Sequence, residues 1–233
     1  MNVLVTILIN LALFLVGYLF IGSFNTAIIL SNKLKKDDVR KHYSKNAGAT
    51  NSLRVFGKKF ALAVFLIDFA KVLVSVLILA ILAQYAFPKT YFISPQSVGL
   101  GIVVGHIFPI WFKFKGGKGV ACSSALILSI NIVAFVIAAF IFFTIAFKRK
   151  IVSLASILTA GLLVPFMFIP WMTQGVLGFW INNVAWNDNL KYLSNNWYVS
   201  GIIYTLAAIL VVAMHHSNIK RLIKKEEKRI TSK

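Results

Sequence analysis

The sequence predicts an all-α integral membrane protein with seven transmembrane helices, its N-terminus outside and its C-terminus in the cytoplasm. Three observations predict it. Of 233 residues, 59% are hydrophobic and only 13% charged, about half the charge of an average soluble domain. Several apolar runs reach or approach the roughly 20 residues that cross a bilayer. Finally, 22 of the 25 Lys and Arg fall in four clusters, each at the end of an apolar run, as in cytoplasmic loops. The net charge of +19 is thereby a topological signal, and nucleic acid is not expected as a partner.

The first span covers 3–30, broken mildly by Asn10 and Asn25. Lysines follow it rather than precede it, so it enters from outside, and no cleaved signal peptide is expected. The polar segment 31–59 is a cytoplasmic loop. The second span, 60–87, returns outward with Asp68 and Lys71 one helical turn apart, an expected mutual ion pair because isolated charges in a membrane are costly. After a short outer turn, 98–111 re-enters. Its Gly101 and Gly105 have the small-xxx-small spacing that permits close helix contact. The run 120–147 poses a parity problem, because one helix would place Lys148, Arg149 and Lys150 outside. Two short helices turning near Ser129, Ile130 and Asn131 keep that cluster inside. Span 151–171 goes outward. An outer loop over 173–197 carries Trp180, Trp186 and Trp197 as interfacial anchors. Span 198–214 returns to a basic, helical tail. The chain, 1–233, reads as one domain without internal repeats.

Three polar constellations lie on the inner face. The glycine–lysine loop Lys115, Gly116, Gly117, Lys118 and Gly119 supplies a backbone that turns sharply, offers N–H groups and lets a bulky anion approach. The helix expected to follow it points its N-terminal dipole at the same place. A lipid-headgroup loop would look similar. The sequence is not a P-loop, since Gly119 rather than Ser or Thr follows Lys118. The second constellation is Ser44, Asn46, Thr50, Asn51 and Arg54, where neutral donors beside a guanidinium suit a phosphate monoester. The third is His215 and Asn218, three apart and on one helical face, suited to orienting a hydroxyl or relaying a proton. His106 reads first as a packing or kink residue beside Pro109 and second as a base. There is no G-x-S-x-G elbow and no H-E-x-x-H pair. The single Cys122 allows no intrachain disulfide. No metal and no cofactor are expected.

Together these stretches resemble the bacterial membrane acyl-phosphate:glycerol-3-phosphate acyltransferase family, the PlsY type. The residues that carry the resemblance are Gly22-Ser23, 44–54 (SKNAGATNSLR), Gly57-Lys58-Lys59, Asp68 with Lys71, 105–121 (GHIFPIWFKFKGGKGVA) and 215–222 (HHSNIKRL), in order along nearly the whole chain. The resemblance implies transfer of an acyl chain from acyl-phosphate to position 1 of glycerol 3-phosphate. It implies a multi-pass protein of the bacterial plasma membrane with its active face in the cytoplasm. Glycerol 3-phosphate, acyl-phosphate and the lipid bilayer are the implied partners, and a monomer is the expected state. Ser44, Arg54 and one of Lys115 or Lys118 would bind phosphate, Gly116, Gly117 and Gly119 would cradle the acyl-phosphate, and His215 and Asn218 would form the third motif. Tyr43 and Lys45 stand where the family usually has glycines, Asn25 where it has proline, Val72 where it has glycine, and Lys225 where a glycine precedes the tail glutamate, here Glu227. The proton of the attacking hydroxyl would pass to the donor phosphate or to His215. A small anion transporter and an anionic-lipid scaffold are the readings from other classes. Formation of lysophosphatidate by the purified protein separates the enzyme from both.

Overall fold

The N-terminal apolar run folds as α1 (Val3–Val16), a π-helical segment (Gly17–Gly22) and α2 (Thr26–Lys35). The break between them lies at Asn25, whose side chain accepts from the Ile28 N–H at 3.2 Å and so caps α2. The segment 31–59, expected as a loop, is largely helical: α2 runs on to Lys35, and α3 (Ala49–Phe56) turns through Gly57 at φ 85° into α4 (Lys58–Tyr85). Then come α5 (Gln96–Ile107), α6 (Val120–Ile130), α7 (Ile132–Arg149), α8 (Val152–Leu163), the short α9 (Pro170–Thr173), α10 (Val199–Met214) and α11 (His216–Ile223). The computed structural model describes residues 3–87, 90–173 and 196–229, and among these every regular element is helical. Trp180 and Trp186 lie outside the described residues.

The 120–147 run divides where charge parity asks it to. Asn131 leaves the helix at φ −157°, accepts from the Ala134 N–H at 2.8 Å to cap α7, and donates to the Met172 carbonyl. One asparagine therefore both ends α6 and starts α7.

Helix α5 lies at the centre. Its small residues let the end of α1 and the π-helical segment approach backbone to backbone: a Cβ on Gly101 would stand 2.0 Å from the Phe14 carbonyl, and one on Gly105 2.5 Å from that of Tyr18. The spacing of these two glycines thus does what it predicts. Around α5 the core is built from α4, α6, α8 and α10, with Ile102, Leu126 and Ile130 fully buried and Tyr204 donating to the Ala160 carbonyl at 3.0 Å. The outward faces are also apolar. Ile78 is 53% exposed, Phe140 73% and Phe147 74%, far more greasy surface than a water-soluble protein leaves open.

Helices Val3–Lys35 (counting its π-helical segment), Lys58–Ala83 and Ile132–Arg149 are long and apolar enough to cross a bilayer, and α10 with α11 reaches that length across a 56° bend. The remaining apolar helices, Gln96–Phe112, Val120–Ile130 and Val152–Phe168, are shorter.

Three of the seven described non-glycine residues at positive φ stand where the resemblance expects glycine. Tyr43, Lys45 and Lys225 adopt φ of 46°, 54° and 59°, the left-handed region that costs a side-chain-bearing residue about 1–2 kcal/mol. Glycine at each position is expected to raise stability by about 0.5–1 kcal/mol, after part of the relief is lost to the freer unfolded chain. Thermal unfolding of the three single variants in detergent checks this, and a lowered midpoint would contradict it.

Candidate functional site

The three polar constellations, separated by up to 174 positions between Ser44 and Asn218, meet in a chamber of about 370 Å³. From the first come Ser44, Asn46, Thr50, Asn51 and Arg54. The glycine loop contributes Lys118 and Gly119, and the tail contributes His215 and Asn218. Lys115, Gly116 and Gly117 do not line it. Lys115 is exposed, so of the two lysines it is Lys118 that lines the chamber.

The glycine loop differs from its expected role in one respect. The N–H groups of Gly116 and Gly117 do not face an anion; they donate to the carbonyls of Ile107 at 3.1 Å and His106 at 2.9 Å. Those carbonyls are orphans of the α5 C-terminus, and the loop satisfies them. The glycines serve close approach instead: a Cβ on Gly116 would lie 2.1 Å from the His106 carbonyl. What the loop leaves open is the start of α6. There Gly119 takes φ 79° and no side chain caps the helix, leaving its first N–H groups and positive dipole end for a ligand.

In the first constellation, Asn51 is a brace rather than a free donor. Its amide donates to the Val39 and His42 carbonyls at 2.9 and 3.2 Å and its oxygen accepts from the Ser44 N–H at 3.2 Å, which accounts for its full polar capacity apart from one lone pair. Asn46 ties this segment to the next by donating to the Gly116 carbonyl at 3.3 Å, beside the Ala47 N–H at 3.1 Å on the same oxygen. Arg54, in the last turn of α3, makes no hydrogen bond or ion pair among the described residues.

At the tail, the His215 Nδ1 lies 2.7 Å from the Val211 carbonyl. A carbonyl only accepts, so Nδ1 carries the proton and Nε2 keeps a basic lone pair. The Asn218 oxygen accepts from the Lys118 ammonium, and its NH₂ donates to Glu227 at 2.6 Å. Glu227 also accepts from Ser153 at 2.8 Å and Arg221 at 2.6 Å. This carboxylate closes the chamber from the tail, and those donors hold its pKa below the usual range against the opposing effect of burial. Burial pushes the Lys118 ammonium down to about 8, with Arg221 and Arg54 adding to it and Glu227 opposing.

Sequence reasoning did not assign site roles to Glu227, Ser153 and Asn25. Asn25 joins the two polar segments, donating to the Ala47 and His106 carbonyls at 3.4 and 3.3 Å. A polar residue replacing a family proline was the available signal. Asp68 and Lys71 pair at 2.8 Å, as their spacing predicts. Asp68, His106 and Cys122 each present one donor atom within 4.8 Å of the others. A cation there would compete with the Lys71 ammonium and the Thr26 hydroxyl, both already on Asp68 Oδ1, so the donor set fits an internal ion pair better than a metal.

An apolar groove of about 140 Å³ opens beside the chamber and shares Phe65, Val120, Phe142, Phe143 and Ser156 with it. The site therefore combines uncompensated positive charge, neutral donors and an adjoining greasy slot.

Residues 11–225 match the family model described as glycerol-3-phosphate acyltransferase. A relative of that name in Mycoplasmopsis agalactiae is 54% identical, the alignment covering 100% of this chain and 99% of the relative. Another in Mycoplasmopsis synoviae is 43% identical with both chains fully covered. The crystal structure of PlsY (YgiH), described as an integral membrane glycerol 3-phosphate acyltransferase in its glycerol 3-phosphate form, is similar at a TM-score of 0.72 and 29% identity over 94% of each chain. Its lysophosphatidic acid form is similar at a TM-score of 0.69 and 27% identity.

Proposed function

The chain belongs to the glycerol-3-phosphate acyltransferase family, and we propose that it moves the acyl chain of an acyl-phosphate to the 1-hydroxyl of glycerol 3-phosphate, releasing lysophosphatidate and inorganic phosphate. The observation that carries this reading is one chamber holding Arg54, Lys118 and Asn218 beside an apolar groove. The cations take the two phosphates, and the groove takes the acyl chain.

An acyl-phosphate is a mixed anhydride, so the enzyme has to place its reactants rather than activate them. The two substrates together carry roughly four negative charges, and their repulsion is what Arg54 and Lys118 offset. Positioning of the hydroxyl against the acyl carbon supplies about 7–11 kcal/mol of the barrier. The hydroxyl oxygen attacks the acyl carbon, the bond from that carbon to the phosphate oxygen breaks, and the leaving phosphate takes the hydroxyl proton. Before the attack, His215 Nε2 accepts the hydroxyl hydrogen bond and aims its oxygen, and the proton turns to the phosphate as the bond to carbon forms. Ser44, Thr50 and the start of α6 supply neutral donors to the phosphates. Asn46, Asn51, Gly116 and Gly117 hold the two inner loops in place. In the cell this is one seven-span domain, a monomer in the bacterial plasma membrane with its N-terminus out and its chamber on the cytoplasmic side.

The deciding experiment gives the purified protein palmitoyl phosphate and radiolabelled glycerol 3-phosphate. Lysophosphatidate is the expected product, and acyl-CoA in place of the phosphate donor is expected to give none. Phosphate entry into vesicles without an acyl product would overturn the proposal.

His215→Ala is expected to lower turnover by about 10- to 100-fold, the value of one buried hydrogen bond of about 1–3 kcal/mol, without moving the pH profile. An acid limb present in the wild-type profile and absent from that of the variant would instead make the imidazole the base.

Lys118 sets a second pH effect. Its ammonium is neutralised as pH rises through about 8, whereas a bound phosphate favours the charged form. The KM for glycerol 3-phosphate is therefore expected to rise between pH 7 and 9, with a proton taken up on binding in that window. Lys118→Arg, which stays charged throughout, should flatten the rise. A KM independent of pH in the wild type would remove Lys118 from the phosphate.

A further inference from the structure

Beneath the glycine loop lies a buried polar assembly to which the reaction scheme gives no step. His106 is 3% exposed, and its Nδ1 lies 3.4 Å from Asp68 Oδ1. The same oxygen holds the Lys71 ammonium at 2.8 Å and the Thr26 hydroxyl at 2.7 Å. The ring is thus located from α2, α4 and α5 at once. Its other edge meets the loop: a Cβ on Gly117 would stand 1.9 Å from His106 Nε2. Gly117 does not have the positive φ found at Gly119, so glycine is required there by the imidazole's occupancy of the Cβ space. The His106 carbonyl meanwhile accepts from the Gly117 N–H at 2.9 Å. Side chain and main chain of one residue therefore grip Gly117 from two directions, and the next residue is Lys118.

We infer that His106, oriented by Asp68, is a positioning residue that fixes Gly117 and thereby sets where Lys118 presents its charge. The energetics support a role beyond packing. A buried ionic group is often no more stabilising than an apolar one of similar volume, so a greasy side chain would fill this space at less cost. An apolar filler has no preferred in-plane orientation, whereas a ring 3.4 Å from a carboxylate that Lys71 and Thr26 also hold has one, set by its charge. The inference rests on the transfer reaction proposed above, with Lys118 as a phosphate contact.

Two mutant cycles on the full-length protein in detergent test it. His106→Ala and Gly117→Ala are each expected to lower kcat at least tenfold. The double variant should be no slower than His106→Ala alone, because the new methyl enters the space the ring has left. In the second cycle, His106→Ala in a Lys118→Arg background should cost less than threefold, since the charge it serves is already displaced. His106→Gln, which keeps a polar group towards Asp68, should recover part of the loss and provides the cycle if His106→Ala folds poorly. Effects that multiply in both cycles, or a folded His106→Ala enzyme with wild-type kcat, would overturn the inference and leave His106 a packing residue. Thermal midpoints of the Gly117 and His106 variants read the same contact without any acyl donor: Gly117→Ala should lower the midpoint in the wild type and not in His106→Ala. A wild-type protein that formed no lysophosphatidate would defeat the transfer reading, and the midpoint cycle would still report on the grip.

Discussion

Lys118→Met is expected to lower kcat for acyl transfer by about 10²- to 10³-fold, the loss found when one donor to a developing oxyanion is removed, in a protein that still inserts and folds. Both halves of this expectation come from the same burial. The ammonium lies in a partly desolvated chamber beside Arg54 and the Asn218 amide, where a phosphate feels it far more strongly than in water. The same desolvation burdens the empty protein. The folded-state value of about 8 lies below the 10.5 of an unperturbed lysine, so the fold disfavours the charged form. That burden is fully present below pH 8 and relieved as pH rises from 8 towards 10.5. Removing the charge should therefore leave the thermal midpoint at neutral pH unchanged or raise it. Turnover and midpoint measured together check the pair. Turnover within threefold of wild type would withdraw the phosphate contact, and a collapsed midpoint would make Lys118 structural.

Arg54→Ala is the second large effect, expected at about 10²- to 10³-fold in kcat/KM. Among the described residues its partly buried guanidinium has no carboxylate or carbonyl partner. The expectation rests on this unpartnered cation lining the chamber. Because its fork matches two phosphate oxygens in plane, Arg54→Lys should restore charge without geometry and recover only part of the loss. Steady-state kinetics with each substrate varied in turn would show which KM rises. Wild-type kinetics in the alanine variant would remove Arg54 from the site.

Asn51 and Asn46 appear in the sequence as polar residues of a phosphate site, yet their amides are committed to the Val39, His42 and Gly116 carbonyls. Composition marks where polar groups gather. It does not tell a donor facing a ligand from one facing a main-chain oxygen, because that depends on which carbonyl the fold brings within 3.5 Å. Gly116 and Gly117 make the same point, their N–H groups closing the end of α5 rather than facing an anion.

Much of the architecture was nonetheless legible in one dimension. The apolar runs, the break at Asn131 and the Gly101–Gly105 contact follow from hydropathy, charge parity and residue size, which act locally along the chain. The three polar constellations that line the chamber were visible as well, since polar and cationic groups concentrated in an apolar chain stand out. Three things were decided only by tertiary structure: that Lys118 rather than Lys115 enters the chamber, that Glu227 folds back onto Asn218, Ser153 and Arg221, and that His106 lies flush against Gly117. Each is a contact between groups at least 6 positions apart whose formation depends on how helices cross and bend. Spacing along the sequence carries no information about that geometry, and packing alone supplies it.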